Sequence, residues 1–224
     1  MKILVTGSAG RLGGMVIPAL EARGHEIVPY DLQNDQDIFD RANLEAAMRG
    51  CRQVVHLAGI PGPVPKTTFP SFYHTNCDGT LAVVRAALES GVQRLIYSGS
   101  TAFYGVEPGI FFHKPIREGQ APITCYAKAD ELTCTPFHMS YDVSKIIAEQ
   151  ILAYYGLMKE LEIIVLRLGP LKAKCGCTPE IAAEAICRAV EHLGPFWYEV
   201  FNVVESKFDW AISYKARAVL GLEL

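Results

Sequence analysis

Short unbroken apolar runs recur along the chain, and between them lie segments whose apolar residues return every three or four positions. A short apolar run closed by turn-forming residues fits a strand buried on both faces, and the longer spacing fits an amphipathic helix. Residues 2–6 (KILVT) are the first run, stopped by Gly7. Leu12, Met15, Val16, Ala19 and Leu20 then share a face, which predicts a helix over 11–23 ended by Gly24. HEIVPY predicts a second strand that ends at Asp31, an acidic polar stretch runs to Asp40, and a helix over 43–49 leads into QVVHLAG, a third strand. Residues 60–70 (IPGPVPKTTFP) read as loop, because proline donates no ladder hydrogen bond and breaks helices. A helical pattern over 75–90, with Gly91 as its cap, precedes the fourth strand, RLIYSGS. Residues 105–140 have no clear period and carry prolines at 108, 115, 122 and 136, the mark of a lid or binding segment. A helix over 141–158, the strand LEIIVLRLG, a helix from Pro179 to Leu193, the strand YEVFNVV and a weak helical pattern over 207–220 complete the chain.

Strands alternating with helices are the signature of βαβ units. The fold class expected is therefore α/β, a doubly wound parallel sheet (Rossmann-like) with helices on both faces. Composition narrows the picture further. With 224 residues, half of them hydrophobic and a fifth charged, the chain is neither disordered nor fibrous. The 21 Lys+Arg against 24 Asp+Glu give a net charge of -3, so neither nucleic acid nor an anionic membrane is expected as partner. No apolar stretch approaches a membrane span, and the N-terminal run breaks into glycines too early for a signal peptide. Seven cysteines, an odd number, point to free thiols in a reducing, cytoplasmic setting.

The string TGSAGRLG places Gly7, Gly10 and Gly13 three apart between the first strand and the first helix. Such a turn lets the backbone approach a pyrophosphate, whose charge then meets free N–H groups and the positive end of the helix dipole. The alternative is a tight turn with no ligand. Asp31 stands 18 residues after Gly13 at the end of the second strand, where a carboxylate accepts hydrogen bonds from an adenosine ribose and repels a 2′-phosphate. NAD is thereby preferred to NADP. Arg11, within the turn, is the residue that argues the other way, unless it is simply solvated.

Tyr141 and Lys145 lie four apart on a predicted helix and so share a face. Hydride transfer from a secondary alcohol needs a matching proton transfer, and a tyrosine is a poor base until a nearby cation stabilises its phenolate. Lys145 is placed to be that cation; the bland reading is an exposed tyrosine beside a solvated lysine.

TGSAGRLG, the Asp37-Ile38 pair, HLAG at 56–59, NCDGT at 76–80, RLIYSGSTAFYG at 94–105 and YDVSK at 141–145 occur together in one order. In these strings the chain resembles the extended short-chain dehydrogenase/reductase family, the NAD-dependent epimerases and dehydratases, over residues 1 to about 170. The resemblance implies a cofactor site. Gly7, Gly10 and Gly13 would bind the pyrophosphate with Arg11 and Leu12 between them, Asp31 the adenosine ribose, and Asp37 with Ile38 the adenine edge. Leu57, Ala58 and Gly59 would lie along the cofactor, with Ser98 beside it, and Lys145 would hold the nicotinamide ribose. Ser100, Tyr141 and Lys145 would form the catalytic set, with Asn76 as the helix asparagine near the cofactor.

By the same resemblance residues 1–170 are the NAD-binding domain and 171–224 a shortened substrate-binding lobe packed on it. The substrate implied is a sugar or nucleotide sugar, the assembly a homodimer, and the reaction an epimerisation or oxidoreduction at a secondary alcohol. A compact sugar-acid or aldose dehydrogenase is the alternative, and a non-catalytic dinucleotide-binding regulator a further one.

Two departures from the family bear on this. Dehydratases carry an Asp-Glu pair directly after the position of Ser100, where this chain has Thr101 and Ala102, which removes the groups that eliminate water. Residues 125–139 look like an insertion before Tyr141, either a lid or a surface excursion. Cys125, Cys134, Cys175 and Cys177 lack the usual zinc spacing, so no metal is expected, and His56 reads as a satisfied core histidine. Phe111, Phe112, Phe137, Phe196 and Trp197 read as core packing rather than pocket lining.

Overall fold

The computed structural model describes residues 1–62, 64, 67–104, 115–122, 136–171, 176–205, 207 and 211–224. Six parallel strands form one sheet: β1 (Lys2–Thr6), β2 (Glu26–Tyr30), β3 (Gln53–His56), β4 (Arg94–Ser100), β5 (Glu162–Leu168) and β6 (Tyr198–Val203), in the order β2-β1-β3-β4-β5-β6. The chain starts at β1, moves to one side for β2 and returns to the other for β3. The order therefore reverses at β1, and the crevice beyond the carboxyl ends of β1 and β3 is where such sheets take ligands.

Alternate residues of each strand feed two separate cores, the consequence of a side-chain period of two in a sheet covered on both faces. Ile3, Val5, Val55, Ile96, Ile164, Leu166 and Phe201 pack against α1 (Gly13–Glu21), α6 (Pro179–Glu191) and α7 (Tyr214–Leu220). Leu4, Val54, Leu95, Tyr97, Ile163 and Val165 pack against α2 (Arg41–Met48), α4 (Gly79–Glu89) and α5 (Pro136–Leu157). The segment after residue 170, expected as a substrate-binding lobe, supplies the sixth strand, α6 and α7 to this same architecture.

All six predicted strands form, and the helices differ mainly at their starts. The helix expected from Thr75 begins earlier, as α3 (Phe69–Phe72), where Thr68 Oγ1 caps the Ser71 N–H and Pro70 sits in the first turn. Proline is tolerated there because that N–H needs no helical partner. A π turn, Tyr73–Asp78, then joins α3 to α4. α5 likewise opens on a proline, Pro136, ahead of the expected Tyr141. The last helix is shorter than the weak pattern over 207–220 suggested, starting at Tyr214 after Ala211 bridges to Ile116.

Candidate active site

The first turn after β1 has the form a bound pyrophosphate requires. Gly7 adopts a φ of 69°, and a Cβ there would stand 2.6 Å from the Ala58 nitrogen. At Gly13, the first residue of α1, a Cβ would stand 2.3 Å from the Ser8 carbonyl oxygen. The backbone is thus drawn tight at both ends of the turn, and no side chain caps the N–H groups that open α1. Asp31 braces the turn from β2: Oδ2 accepts the Ala9 N–H and Oδ1 the Gln33 N–H, both at 2.9 Å. A carboxylate so held presents its remaining lone pairs beside the glycine turn. Arg11 is exposed and reaches the Leu171 carbonyl at 3.4 Å, while Leu12 and Leu57 pack partly into the core on the α1 side. Asp37 stays on the surface, whereas the Ile38 side chain turns into the opposite core beside Gly79.

The wall across from this turn is built on β3 and the π turn. Asn76 is buried, and its side chain joins three elements. Oδ1 accepts the Ile60 N–H at 2.8 Å, and Nδ2 donates to Ser144 Oγ on α5 at 2.9 Å. Gly59 passes so close that a Cβ would stand 2.9 Å from Asn76 Oδ1. The π turn carries the asparagine, and such turns frequently accompany functional sites. Because one turn takes an extra residue, it also shifts the helical phase.

α5 brings the remaining chemistry to the end of β4. Tyr141 and Lys145 both face inward and are buried. Tyr141 packs with Phe72, Ile60 and Ala102, its ring edge-on to Phe72 at 6.1 Å between centroids. Lys145 Nζ lies 5.9 Å from the Tyr141 ring centroid and donates to the Ser98 carbonyl at 3.1 Å. Burial pushes the ammonium down to about 8, with Cys77 acting in the opposite sense. The arrangement is therefore a phenol with a buried cation beside it, not an exposed tyrosine and a solvated lysine. Ser100 ends β4, where its Oγ accepts the Ala102 N–H at 3.1 Å and its own proton remains available to donate. Ser98 Oγ donates to the His56 carbonyl at 3.2 Å.

Thr101 and Ala102 hold the fold together at the two dehydratase positions. Thr101 Oγ1 donates to the Leu168 carbonyl at 3.3 Å, and Ala102 packs on Tyr141. His56 is fully buried with both ring nitrogens partnered, by Thr6 and Thr80, and burial lowers its pKa to about 3. Phe196 packs at the edge of the α1-side core as expected, whereas Trp197, also expected in the core, is exposed. Cys51, Cys77, Cys177 and Cys187 are free and buried. Among the described residues no cluster suits a metal ion. Cys125, Cys134, Cys175, Phe111, Phe112, the Phe137 side chain and most of the expected lid lie outside the described residues.

Sequence reasoning did not single out Thr6, Thr80, Tyr97, Ser144, Glu149 or Arg167. Glu149, one turn beyond Lys145, forms a buried pair with Arg167 of β5: Arg167 Nε donates to Oε2 at 3.0 Å and Nη2 to Oε1. Arg167 also donates to the Tyr104 hydroxyl and to the Glu118 carbonyl. The pair ties α5 to the turn that follows Ser100. The available signal was Arg167 in the otherwise apolar run IIVLRL, an ionisable residue that requires a buried partner.

A family model described as the NAD dependent epimerase/dehydratase family matches residues 3–195. A UDP-glucose 4-epimerase of Rhizobium meliloti (strain 1021) is 32% identical over 184 residues, 74% of this chain and 50% of the relative. An L-arabinose 1-dehydrogenase (NAD(P)(+)) of Haloferax volcanii is 30% identical over 178 residues, 75% of this chain and 66% of the relative. This chain thus spans half the length of the first relative and about two thirds of the second. The crystal structure of UDP-glucuronic acid 4-epimerase from Bacillus cereus, in complex with UDP-glucuronic acid and NAD, superposes with a TM-score of 0.79 at 18% identity, covering 100% of this chain and 94% of that one. At that identity the likeness speaks for the fold. Among the described residues no helix is long and apolar enough to cross a membrane.

Proposed function

The chain belongs to the NAD-dependent epimerase/dehydratase family, and from that premise we propose that it oxidises a secondary alcohol of a sugar or nucleotide sugar with NAD. The observation that carries this reading is the buried Tyr141–Lys145 face of α5, brought against the end of β4 at the same carboxyl edge of the parallel sheet as a glycine turn that leaves room only for backbone. The cofactor fits the residues present. Gly7, Gly10 and Gly13 would take the pyrophosphate, with Arg11 and Leu12 at its rim, and Asp31 the adenosine ribose. Asp37 and the Ile38 main chain would meet the adenine, and Leu57, Ala58, Gly59, Asn76 and Ser98 would line the path to Lys145. When bound, NAD supplies the acceptor for a hydride.

Tyr141 takes the hydroxyl proton, and the Lys145 ammonium stabilises the phenolate that does so. Ser100 donates a hydrogen bond to the reacting oxygen, and Asn76 holds the π turn and α5 in register. Thr101 and Ala102 supply neither acid nor base, so elimination of water is not part of this reading. The epimerase relative favours return of the hydride to the other face of the sugar, and the arabinose dehydrogenase relative favours its net removal.

Incubation with NAD and, in turn, UDP-glucose, UDP-glucuronate and L-arabinose tests the proposal and separates its two forms. NADH accumulating with a sugar identifies the dehydrogenase; an epimer formed without net NADH identifies the epimerase. Tightly bound NAD with no turnover of any sugar of these classes would favour the regulator instead.

The same reading makes the protein a cytoplasmic homodimer through α4 and α5. Tyr154, Leu157 and Met158 lie exposed at the end of α5, a concentration of apolar surface that a second copy would cover. Solution scattering should give the mass of two chains, and a monomer at high protein concentration would remove the dimer from the account.

A further inference from the structure

Lys145 is held by two groups of β4. Its Nζ lies 3.2 Å from the Tyr97 hydroxyl and 3.1 Å from the Ser98 carbonyl oxygen. A carbonyl only accepts, but a phenol can give or take, so what Lys145 meets at Tyr97 depends on where the Tyr97 proton goes. As the donor in this contact, the Lys145 ammonium meets the Tyr97 oxygen as an acceptor. Thr80 Oγ1 gives its proton to the Asn76 carbonyl at 2.6 Å, and toward every other partner this oxygen only accepts.

His56 Nε2, 3.2 Å from Thr80 Oγ1, must then carry the ring hydrogen. Nδ1, 2.8 Å from Thr6 Oγ1, accepts the Thr6 proton, and Thr6 Oγ1 in turn takes the Ala58 N–H at 3.3 Å. One directed chain of hydrogen bonds therefore runs from the Ala58 N–H through Thr6, His56 and Thr80 to the Asn76 carbonyl in the π turn.

We propose that Tyr97 is a positioning residue for Lys145, accepting one of its N–H groups so that the lysine is kept as an ammonium with a single N–H left for the site. This rests on the dehydrogenase/epimerase reading, in which that remaining N–H serves the cofactor ribose and the Tyr141 phenolate. An ammonium has three N–H groups, and Tyr97 and the Ser98 carbonyl take two of them.

The titratable groups around Lys145 are Tyr97 on β4, Cys77 in the π turn, His56 on β3, and Tyr141 with the Arg167-paired Glu149 on its own helix. Burial holds His56 neutral down to about 3, keeps Cys77 a thiol up to about 11 and raises Tyr97 well above the usual tyrosine value. None of these three changes charge near neutrality.

The test is the ionisation of Lys145 itself, followed by NMR of ¹³C-labelled lysine side chains with its signal identified by loss in Lys145→Met. In Tyr97→Phe the midpoint is expected about one pH unit below the wild-type value, tenfold in the protonation constant, as one charge-assisted hydrogen bond is removed. A packing role alone would lower the stability of Tyr97→Phe and leave the midpoint in place.

An unchanged or raised midpoint in Tyr97→Phe overturns the proposal. Should that variant fail to fold, 3-fluorotyrosine at position 97, a weaker acceptor of nearly the same shape, should lower the midpoint in the same sense, and an unchanged midpoint there overturns the proposal. The readout needs neither substrate nor turnover. A wild-type protein that binds no NAD would sink the functional reading while the lysine titration still gave its own answer.

Discussion

Replacing Tyr141 with Phe is expected to lower turnover about a thousandfold while NAD affinity stays within a few-fold of the wild type. The substitution deletes one oxygen and little else. The ring keeps its edge-on contact with Phe72 and its packing on Ala102, and Lys145 keeps both of its β4 acceptors. In the proposed mechanism, what disappears is the group that takes the alcohol proton as hydride leaves carbon, so the loss is expected to fall on kcat rather than on binding. Steady-state rates with whichever sugar turns over, set beside calorimetric NAD affinities for both proteins, check this. A variant that retains activity within tenfold would remove Tyr141 from the chemistry.

The second large effect is on stability. Glu149→Ala should cost about 3–5 kcal/mol, because it leaves the Arg167 guanidinium buried without its carboxylate. Both side chains are almost wholly inaccessible, and Glu149 Oε1 also accepts the Tyr198 hydroxyl at 3.1 Å. The guanidinium carbon stacks 3.6 Å from the Phe103 ring centroid, in the turn that follows Ser100. Losing the carboxylate therefore loosens α5 and that turn together. Urea unfolding of the single variant and of the Glu149→Leu, Arg167→Met double variant separates a missing partner from a missing volume. The double variant should recover most of the loss, as apolar replacement of a buried pair often does. A single variant within about 1 kcal/mol of wild type would mean that the pair is dispensable.

The sheet was legible in the sequence because its strands are nearly continuous apolar runs ended by glycine or polar residues, and all six form where those runs stand. The glycine turn, Asp31 and the Tyr141–Lys145 face were legible for a related reason: each requires a residue type at a spacing that secondary structure fixes. The start of α3 was hidden by Pro70, which breaks helices everywhere but in the first turn, and the π turn by the phase shift it introduces. Ile38 pairs with Asp37 in sequence yet faces the core, since only tertiary packing places Gly79 against it. The polar connections were hidden most completely. Tyr97 and His56 read as members of apolar strands, and their partners Lys145, Thr80 and Thr6 come from elsewhere in the chain.

The central claim is that the glycine turn between β1 and α1 holds NAD for the chemistry at Tyr141. Its most direct test is a calorimetric titration of NAD into the wild-type protein and into Gly13→Val, with circular dichroism confirming that both are folded. The account predicts one NAD per wild-type chain and none in the variant, whose Cβ would stand 2.3 Å from the Ser8 carbonyl oxygen and force the turn out of its shape. Equal binding by both folded proteins, or no binding by the wild type at millimolar NAD, would contradict it.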